Sequence, residues 1–332
     1  MTQTSKTTPS SGTKLTANDS SKDDAMPGLL KPNKPSVVFF GSGPVAAASL
    51  ELLAQHTQIE AVITKPKPPH HRGEFPVIKT AERLNMPIYT VSGKQSLSDL
   101  IGSHQFKSTV GVLIDFGIIV SQNVIDSFEL GIINSHFSVL PEWRGADPIS
   151  FSILSGQPST GVSLMLLVEK MDEGPLLAFS EHTLSGKETT SQLTDALIDL
   201  SDAMLKEYLP MYLAHGNTFP QTLTGRDVSY SRKLQKDDGI IDWHKPAIQL
   251  EREIRAYAEW PKSRCILAGK DVVITAAHVA KQQGQIGQIF FDNTQLGIYC
   301  GVDALIIDSL KPAGKNEMTA SAFLAGYRHL LA

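Results

Sequence analysis

The run Ser36-Val37-Val38-Phe39-Phe40, followed at once by Gly41-Ser42-Gly43-Pro44, constrains the fold of this 332-residue chain more than any other feature. β-branched and aromatic residues without a charge read as a strand buried on both faces. The glycines and the proline then turn the chain. Val45 to Gln55 reads as a helix and Ile59 to Thr64 as the next strand. Strand, turn, helix and strand in that order open a nucleotide-fold type of sheet. Pro44 interrupts the G-x-G-x-x-G form and no Walker lysine follows, so Gly41 and Gly43 are read as permitting a tight turn near a cleft.

The same alternation continues. Ile88–Val91, Val110–Phe116 and the run from Ile132 read as strands. Val77–Leu84, Val124–Phe128 and Ile149–Ser155 read as helices, the last ended by Gly156. Apolar runs at Val162–Val168 and 176–181 add two more strands. Thr190–Tyr212 is expected as a helix, with Leu193, Leu197, Leu200, Met204 and Leu205 on one stripe that packs on the core. Residues 214–228, rich in Gly, Thr and Pro, read as a linker. Beyond it come a helix at Leu250–Tyr257 and short strands at Cys265–Leu267, Val272–Ala276, Ile289–Phe291, Gly297–Cys300 and Ala304–Leu310. Their number and spacing predict a small open barrel of OB type. The expected division is 35–213, linker 214–228, and 229–332. Residues 1–34 carry too few large apolar side chains to repay ordering and are expected as a disordered tail.

Charge and cysteine content narrow the classes. The chain carries a formal net charge of −4, with −6 over residues 1–225 and +2 over 226–332. That asymmetry is only a weak pointer to a polyanion on the C-terminal side. Cys265 and Cys300 sit in apolar surroundings and read as reduced, buried thiols, which fits a cytoplasmic protein. Zinc-type spacing is absent, so no metal is expected. No apolar stretch has the length of a membrane span.

Chemistry concentrates between Gly131 and Gly174. Asn134 and His136 are two apart on a strand, so both side chains point to one side at its end. Leu140-Pro141 and Arg144-Gly145 cannot continue the strand and read as a turn lining a cleft. The second apolar run, Val162 to Val168, ends at Met171-Asp172-Glu173-Gly174-Pro175 and could bring Asp172 back beside His136. An Asn-x-His pair is common by chance, and a buried histidine is usually a packed core residue. The amide, imidazole and carboxylate together, however, form a plausible acyl-transfer site.

The order Asn134-x-His136, Ser138-x-Leu140-Pro141, Arg144-Gly145 and Asp172-x-Gly174 resembles the signature of the folate-dependent formyltransferases. The resemblance runs over roughly residues 35–330. It implies a Rossmann-like α/β catalytic domain with a mostly parallel sheet, followed by the barrel. It also implies 10-formyltetrahydrofolate as formyl donor and initiator methionyl-tRNA as acceptor and partner, with a monomer expected. By the same resemblance Asn134 donates to the developing oxyanion, and His136 adds a second donor in a protonated form that Asp172 favours. Asp172 relays the proton of the amine. Phe116, Gly117, Ile118, Ile119, Ser138, Leu140 and Pro141 line the folate pocket. Arg72, in the basic loop 65–73, contacts the end of the tRNA, Arg144 is a further substrate or tRNA contact, and Arg232 and Lys233 are candidates for phosphates of the tRNA body, which residues 229–332 grip.

The family has Ala-Tyr-Gly where this chain has Asp115-Phe116-Gly117, so Asp115 is a departure, either an N-cap or a pocket residue. Two rival readings remain. One is a formyltransferase acting on an amino-sugar nucleotide. The other is a non-enzymatic RNA-binding protein, which leaves Asn134, His136 and Asp172 without a purpose.

Overall fold

The computed structural model describes residues 34–67 and 75–331. The tail up to residue 33 and the part of the basic loop that holds Arg72 lie outside the described residues.

The first strand, β1 (Ser36–Phe40), leads into helix α1 (Pro44–His56), whose first turn opens with Pro44. The chain continues through β2 (Gln58–Thr64), α2 (Pro76–Arg83), β3 (Ile88–Thr90), α3 (Lys94–Ser103), β4 (Gly111–Leu113), α4 (Gln122–Ile125) and β5 (Ile132–His136). A two-residue strand β6 (Arg144–Gly145) precedes α5 (Pro148–Ser155), β7 (Ser159–Leu166), β8 (Leu176–Thr183) and the long α6 (Thr190–His215).

The strands form one sheet in the order β3-β2-β1-β4-β5-β7-β8. From β3 to β5 every pair is parallel, and β7 and β8 are added antiparallel. Neither face is open to water. Val37 and Phe39 pack in a core with Leu50, Val77 and Leu197, while Val38 and Phe40 pack in a second core with Ile63, Phe116 and Phe128. A charge-free run is what a strand covered on both faces requires. Each such side chain taken fully out of water contributes about 1.5–3 kcal/mol.

After α6 come a short 3-10 turn (Gln221–Thr224), β9 (Tyr230–Ser231) and α7 (Ala247–Ala256). The second sheet uses β10 (Ser263–Leu267), β11 (Lys270–Ala280), β12 (Ile289–Phe291), β13 (Leu296–Tyr299), β14 (Ala304–Pro312) and β15 (Met318–Thr319), with α8 (Ala320–Tyr327) packed on it. Its order is β10-β11-β14-β13-β12, with β15 on β14 and every pair antiparallel. The end strands β10 and β12 do not pair, so this curled sheet stays an open half-barrel. Leu250 and Ile254 of α7 enter its core, whereas Ala256 and Tyr257 at the end of the same helix join the core of the first sheet.

Several elements differ in extent from the sequence expectation: β11 runs over Lys270–Ala280 rather than Val272–Ala276, and α4 covers Gln122–Ile125 rather than Val124–Phe128. The strand expected over Val110–Phe116 shortens to Gly111–Leu113, because Asp115 (φ 46°) and Gly117 (φ 62°) turn the chain through left-handed conformations. The helix expected to end at Tyr212 runs to His215 and stops at Gly216, again left-handed.

Candidate active site

The candidate groups gather at the C-terminal ends of the parallel strands. The chain runs outward from β1 on one side and from β4 on the other, and ligands bind in open α/β sheets at such a reversal. The loop after β4 is tied to the loop after β1 by the Ser42 N–H, which donates to the Asp115 carbonyl at 3.0 Å.

Strand β5 delivers the first two groups. It is laddered on both sides: Asn134 sits opposite Leu113 of β4 and Met165 of β7, and His136 opposite Ser163. Both side chains are buried. The third group arrives from the turn between β7 and β8. Gly174 there lies against the Leu166 carbonyl so closely that a Cβ would overlap it, which accounts for the glycine two residues after Asp172. Asp172 itself has φ 53°, a left-handed backbone that costs a non-glycine residue about 1–3 kcal/mol.

Around its carboxylate the site closes. The Gly145 N–H donates to Asp172 Oδ2 at 2.8 Å. Asn134 Nδ2 stands 3.5 Å from Oδ1, and His136 Nδ1 stands 3.9 Å from Oδ2. His136 Nε2 donates to the Trp143 carbonyl at 3.0 Å, which fixes the ring and leaves Nδ1 facing the aspartate. The two longer distances leave the Asn134 amide and the Asp172 carboxylate with hydrogen-bonding capacity for a substrate.

The stretch expected as a linker builds part of this site. Phe219 exchanges two backbone bonds with Leu176, each 2.8 Å. Gln221 is buried and bonds to the Asp172 turn and to Arg144. Thr224 donates to the Leu140 carbonyl at 2.9 Å. Arg226 reaches Glu142 at 3.5 Å and Glu181 at 2.9 Å. Burial pushes the Glu142 carboxyl up, and Arg226 beside it opposes that shift. The Ser229 N–H donates to the Pro141 carbonyl, and its carbonyl accepts from the Arg144 N–H. Ser231 Oγ donates to the same Trp143 carbonyl that holds His136. β6 and β9 thus pair in parallel, Arg144 with Tyr230 and Gly145 with Ser231. Gly145 has φ 109°, and any Cβ there would run into the Ser231 carbonyl.

Sequence reasoning missed Gln221, Ser231, the Trp143 carbonyl and the Gly145 N–H. A lone amide in a Gly/Thr/Pro-rich stretch carries no periodic signal, and backbone groups carry no residue signal at all.

The residues expected around the folate fall into two groups. Phe116 packs edge-on against Phe40 with ring centres 5.7 Å apart, and Ser138, Leu140 and Pro141 are likewise buried behind the cleft. Ile118 is half-buried, and Gly117 and Ile119 are exposed. The expected tRNA contacts also separate. Arg144 spends Nε and Nη2 on Gln221 and faces Glu173 at 3.5 Å, so its guanidinium is turned inward. Arg232 is held by Asp238 through two bonds of 2.6 and 2.7 Å. Lys233 is exposed.

Asp115 starts no helix of its own. Its carboxylate lies against Gly43, where α1 begins. Although the residue as a whole is exposed, burial of its carboxyl against the two loops pushes that group up to about 6, with Lys65 opposing the shift and Asp147 adding to it. Burial pushes the Cys265 thiol up to about 12 and raises Cys300 as well, so neither is a ready nucleophile. Among the described residues no three His, Cys, Asp or Glu side chains gather as a metal site, and no helix is long and apolar enough to cross a membrane.

A mostly parallel sheet with an amide, an imidazole and a carboxylate gathered at its strand ends, joined to an open half-barrel, suits a group-transfer enzyme. Residues 34–209 match the formyl transferase family, and residues 233–328 match the formyl transferase C-terminal domain. The chain belongs to the formyl transferase family. It is 32% identical over 297 residues to a methionyl-tRNA formyltransferase of Magnetococcus marinus, covering 88% of this chain and 95% of that protein. The relative of the same name from Thiobacillus denitrificans is 34% identical, covering 87% of this chain and 96% of its own. In fold the chain is similar to an N-formyltransferase from Helicobacter canadensis solved with folinic acid and dTDP-3-aminofucose, at TM-score 0.62 and 17% identity over 83% of this chain and 98% of that one. It is also similar to the sugar 3N-formyl transferase WlaRD, at TM-score 0.63 and 17% identity over 86% and 100%.

Proposed function

We propose that the protein transfers the formyl group of 10-formyltetrahydrofolate to the α-amine of methionyl initiator tRNA, giving N-formylmethionyl-tRNA and tetrahydrofolate. The observation that carries this reading is the Asp172 carboxylate set among Asn134, His136 and the Gly145 N–H, in a formyl transferase chain whose relatives bear that activity in their names.

The amine nitrogen attacks the formyl carbon and the carbonyl oxygen becomes an oxyanion. Asn134 Nδ2 donates to it. Asp172 accepts the proton lost by the attacking nitrogen, through the oxygen that Gly145 leaves free. The bond from the formyl carbon to the folate nitrogen then breaks, and that nitrogen takes up a proton. The formyl group and one proton have exchanged places, and the enzyme is unchanged. His136, fixed by the Trp143 carbonyl, keeps Nδ1 toward Asp172 and the reacting centre. Much of the acceleration comes from holding amine and formyl carbon in line. Gly117, Ile118 and Ile119 face the folate, while Phe116, Ser138, Leu140 and Pro141 shape its pocket from behind.

Residues 35–213 supply the chemistry in this reading, and 229–332 grip the body of the tRNA, with exposed Lys233 as a phosphate contact. Arg72 serves the end of the tRNA. The protein acts as a monomer in the cytoplasm, where free Cys265 and Cys300 are at home. The test is an assay with 10-formyltetrahydrofolate and either methionyl-tRNA or a dTDP-amino sugar. Formylation of the tRNA is expected. Formylation of the sugar nucleotide, or of neither acceptor, overturns the reading.

A further inference from the structure

We infer that Gln221 is a positioning residue for formyl transfer, clamping the Asp172 turn to Arg144 so that the carboxylate meets the acceptor amine. The inference rests on the reading of Asp172 as the proton acceptor.

Gln221 lies outside both matched family segments, between residues 209 and 233, in a stretch with no strand or α-helix of its own until Tyr230. Its amide is nevertheless fully used. Nε2 donates to the Asp172 carbonyl at 2.7 Å and to the Gly174 carbonyl at 2.9 Å. Oε1 accepts from Arg144 Nε at 3.2 Å and from Nη2 at 2.7 Å. A primary amide has two N–H bonds and two lone pairs, and all four are engaged. The reversed amide would set its oxygen against two carbonyls and its NH2 against a guanidinium, so only one orientation fits.

The two carbonyls that Gln221 holds flank the Asp172-x-Gly174 turn, and Asp172 is left-handed there. A left-handed aspartate persists only where its surroundings over-determine it. From the carboxylate side Gly145 does this, and from the backbone side Gln221 does. Arg144 closes the ring, since its own backbone precedes Gly145 and its Nη1 faces Glu173 next to Asp172. Gln221 touches no group that reacts. Its effect passes through the placement of Asp172.

The experiment compares the full chain with Gln221→Met, Gln221→Glu and Asp172→Asn in single-turnover formylation of methionyl-tRNA, with KM for both substrates and thermal midpoints. Gln221→Met keeps length and loses every hydrogen bond. Its transfer rate constant should fall by about 10- to 100-fold, with both KM values within about 3-fold. Gln221→Glu keeps the acceptor for Arg144 and loses both donors. Below the pKa of the new carboxyl one O–H returns, so its activity relative to the parent chain should rise as pH falls. A structural filler would not reproduce that pH profile. Rates within about 2-fold of the parent for Gln221→Met, or a Gln221→Glu profile parallel to that of the parent, overturn the inference. If Asp172→Asn also transfers at the parental rate, it is the catalytic reading of Asp172 that has failed. An inactive Asp172→Asn beside an active Gln221→Met removes Gln221 alone.

Discussion

Asn134 and His136 reach the candidate active site on a strand, and Asp172 reaches it on a turn. Strand β5 is hydrogen-bonded to β4 and β7, so the period of two residues alone aims both side chains at that site. Nothing outside the sheet is needed to hold Asn134 there. Asp172 has no ladder. Its left-handed backbone is fixed by Gln221 and its carboxylate by Gly145, and Gly145 is fixed in turn by β9. Placement by a ladder is redundant, because many backbone bonds share the task. Placement by a turn depends on a few long-range bonds, and each one matters.

Glycine substitution sharpens this contrast most strongly. Asn134→Gly and Asp172→Gly should both lower the transfer rate constant by on the order of 100-fold or more, read in single turnovers. Their stabilities should diverge. Glycine inside β5 weakens a buried strand, by about 0.5–1 kcal/mol from the backbone alone. Glycine at position 172 relieves the left-handed strain, which offsets part of the lost hydrogen bonds. A thermal midpoint lower for Asp172→Gly than for Asn134→Gly would break the comparison.

Gly145→Ala attacks the turn side from a distance. The new methyl meets the Ser231 carbonyl and forces β6 away from β9, carrying the Gly145 N–H off Asp172. Transfer should fall on the order of 10-fold or more, although no catalytic side chain has changed. Unchanged turnover would mean that Asp172 does not depend on this ladder. A milder change is Thr224→Val, which removes a hydroxyl shared between the Leu140 and Gln221 carbonyls, each at 2.9 Å, and the acceptor of the Arg226 N–H. About 0.5–1.5 kcal/mol of stability should be lost in chemical denaturation, with turnover nearly kept.

On the tRNA side the same logic separates a free cation from a spent one. Lys233→Ala should reduce the slope of log affinity against log salt by about one unit, whereas Arg232→Ala should change it less, because Asp238 already neutralises that guanidinium. Equal slopes for the two variants would contradict this.

A pH-dependent effect is expected at Asp115, where exposure of the residue to solvent weakens the consequence of its shift. Its carboxyl titrates at 3.8 when free and at about 6 in the folded protein. Below 3.8 the acid is neutral in both states and Asp115→Asn should leave stability unchanged. Between those values the unfolded chain ionises first, which favours unfolding, and above 6 the loss is complete. The midpoint of Asp115→Asn minus that of the parent chain should therefore grow through this window and then level off. A difference that shrinks as pH rises would reverse the assigned sign.

The parallel sheet, the open half-barrel and the meeting of Asn134, His136 and Asp172 were legible in the chain's own residues. Buried runs and strand period are properties of neighbours along the chain, and the short signature from Asn134 to Gly174 keeps its side chains within a local stretch. How that set is held came from contacts between segments far apart in the chain. Gln221 meets Asp172 across 49 residues and Arg144 across 77, and Arg232 turned out to be spent on Asp238. Hydrogen bonds of this kind exist only where two distant segments come within about 3 Å with donor facing acceptor. No local pattern encodes that meeting. It follows from the packing of α6, and of only the C-terminal end of α7, on the first core, with the segment between them joined to the Asp172 turn and to Leu140.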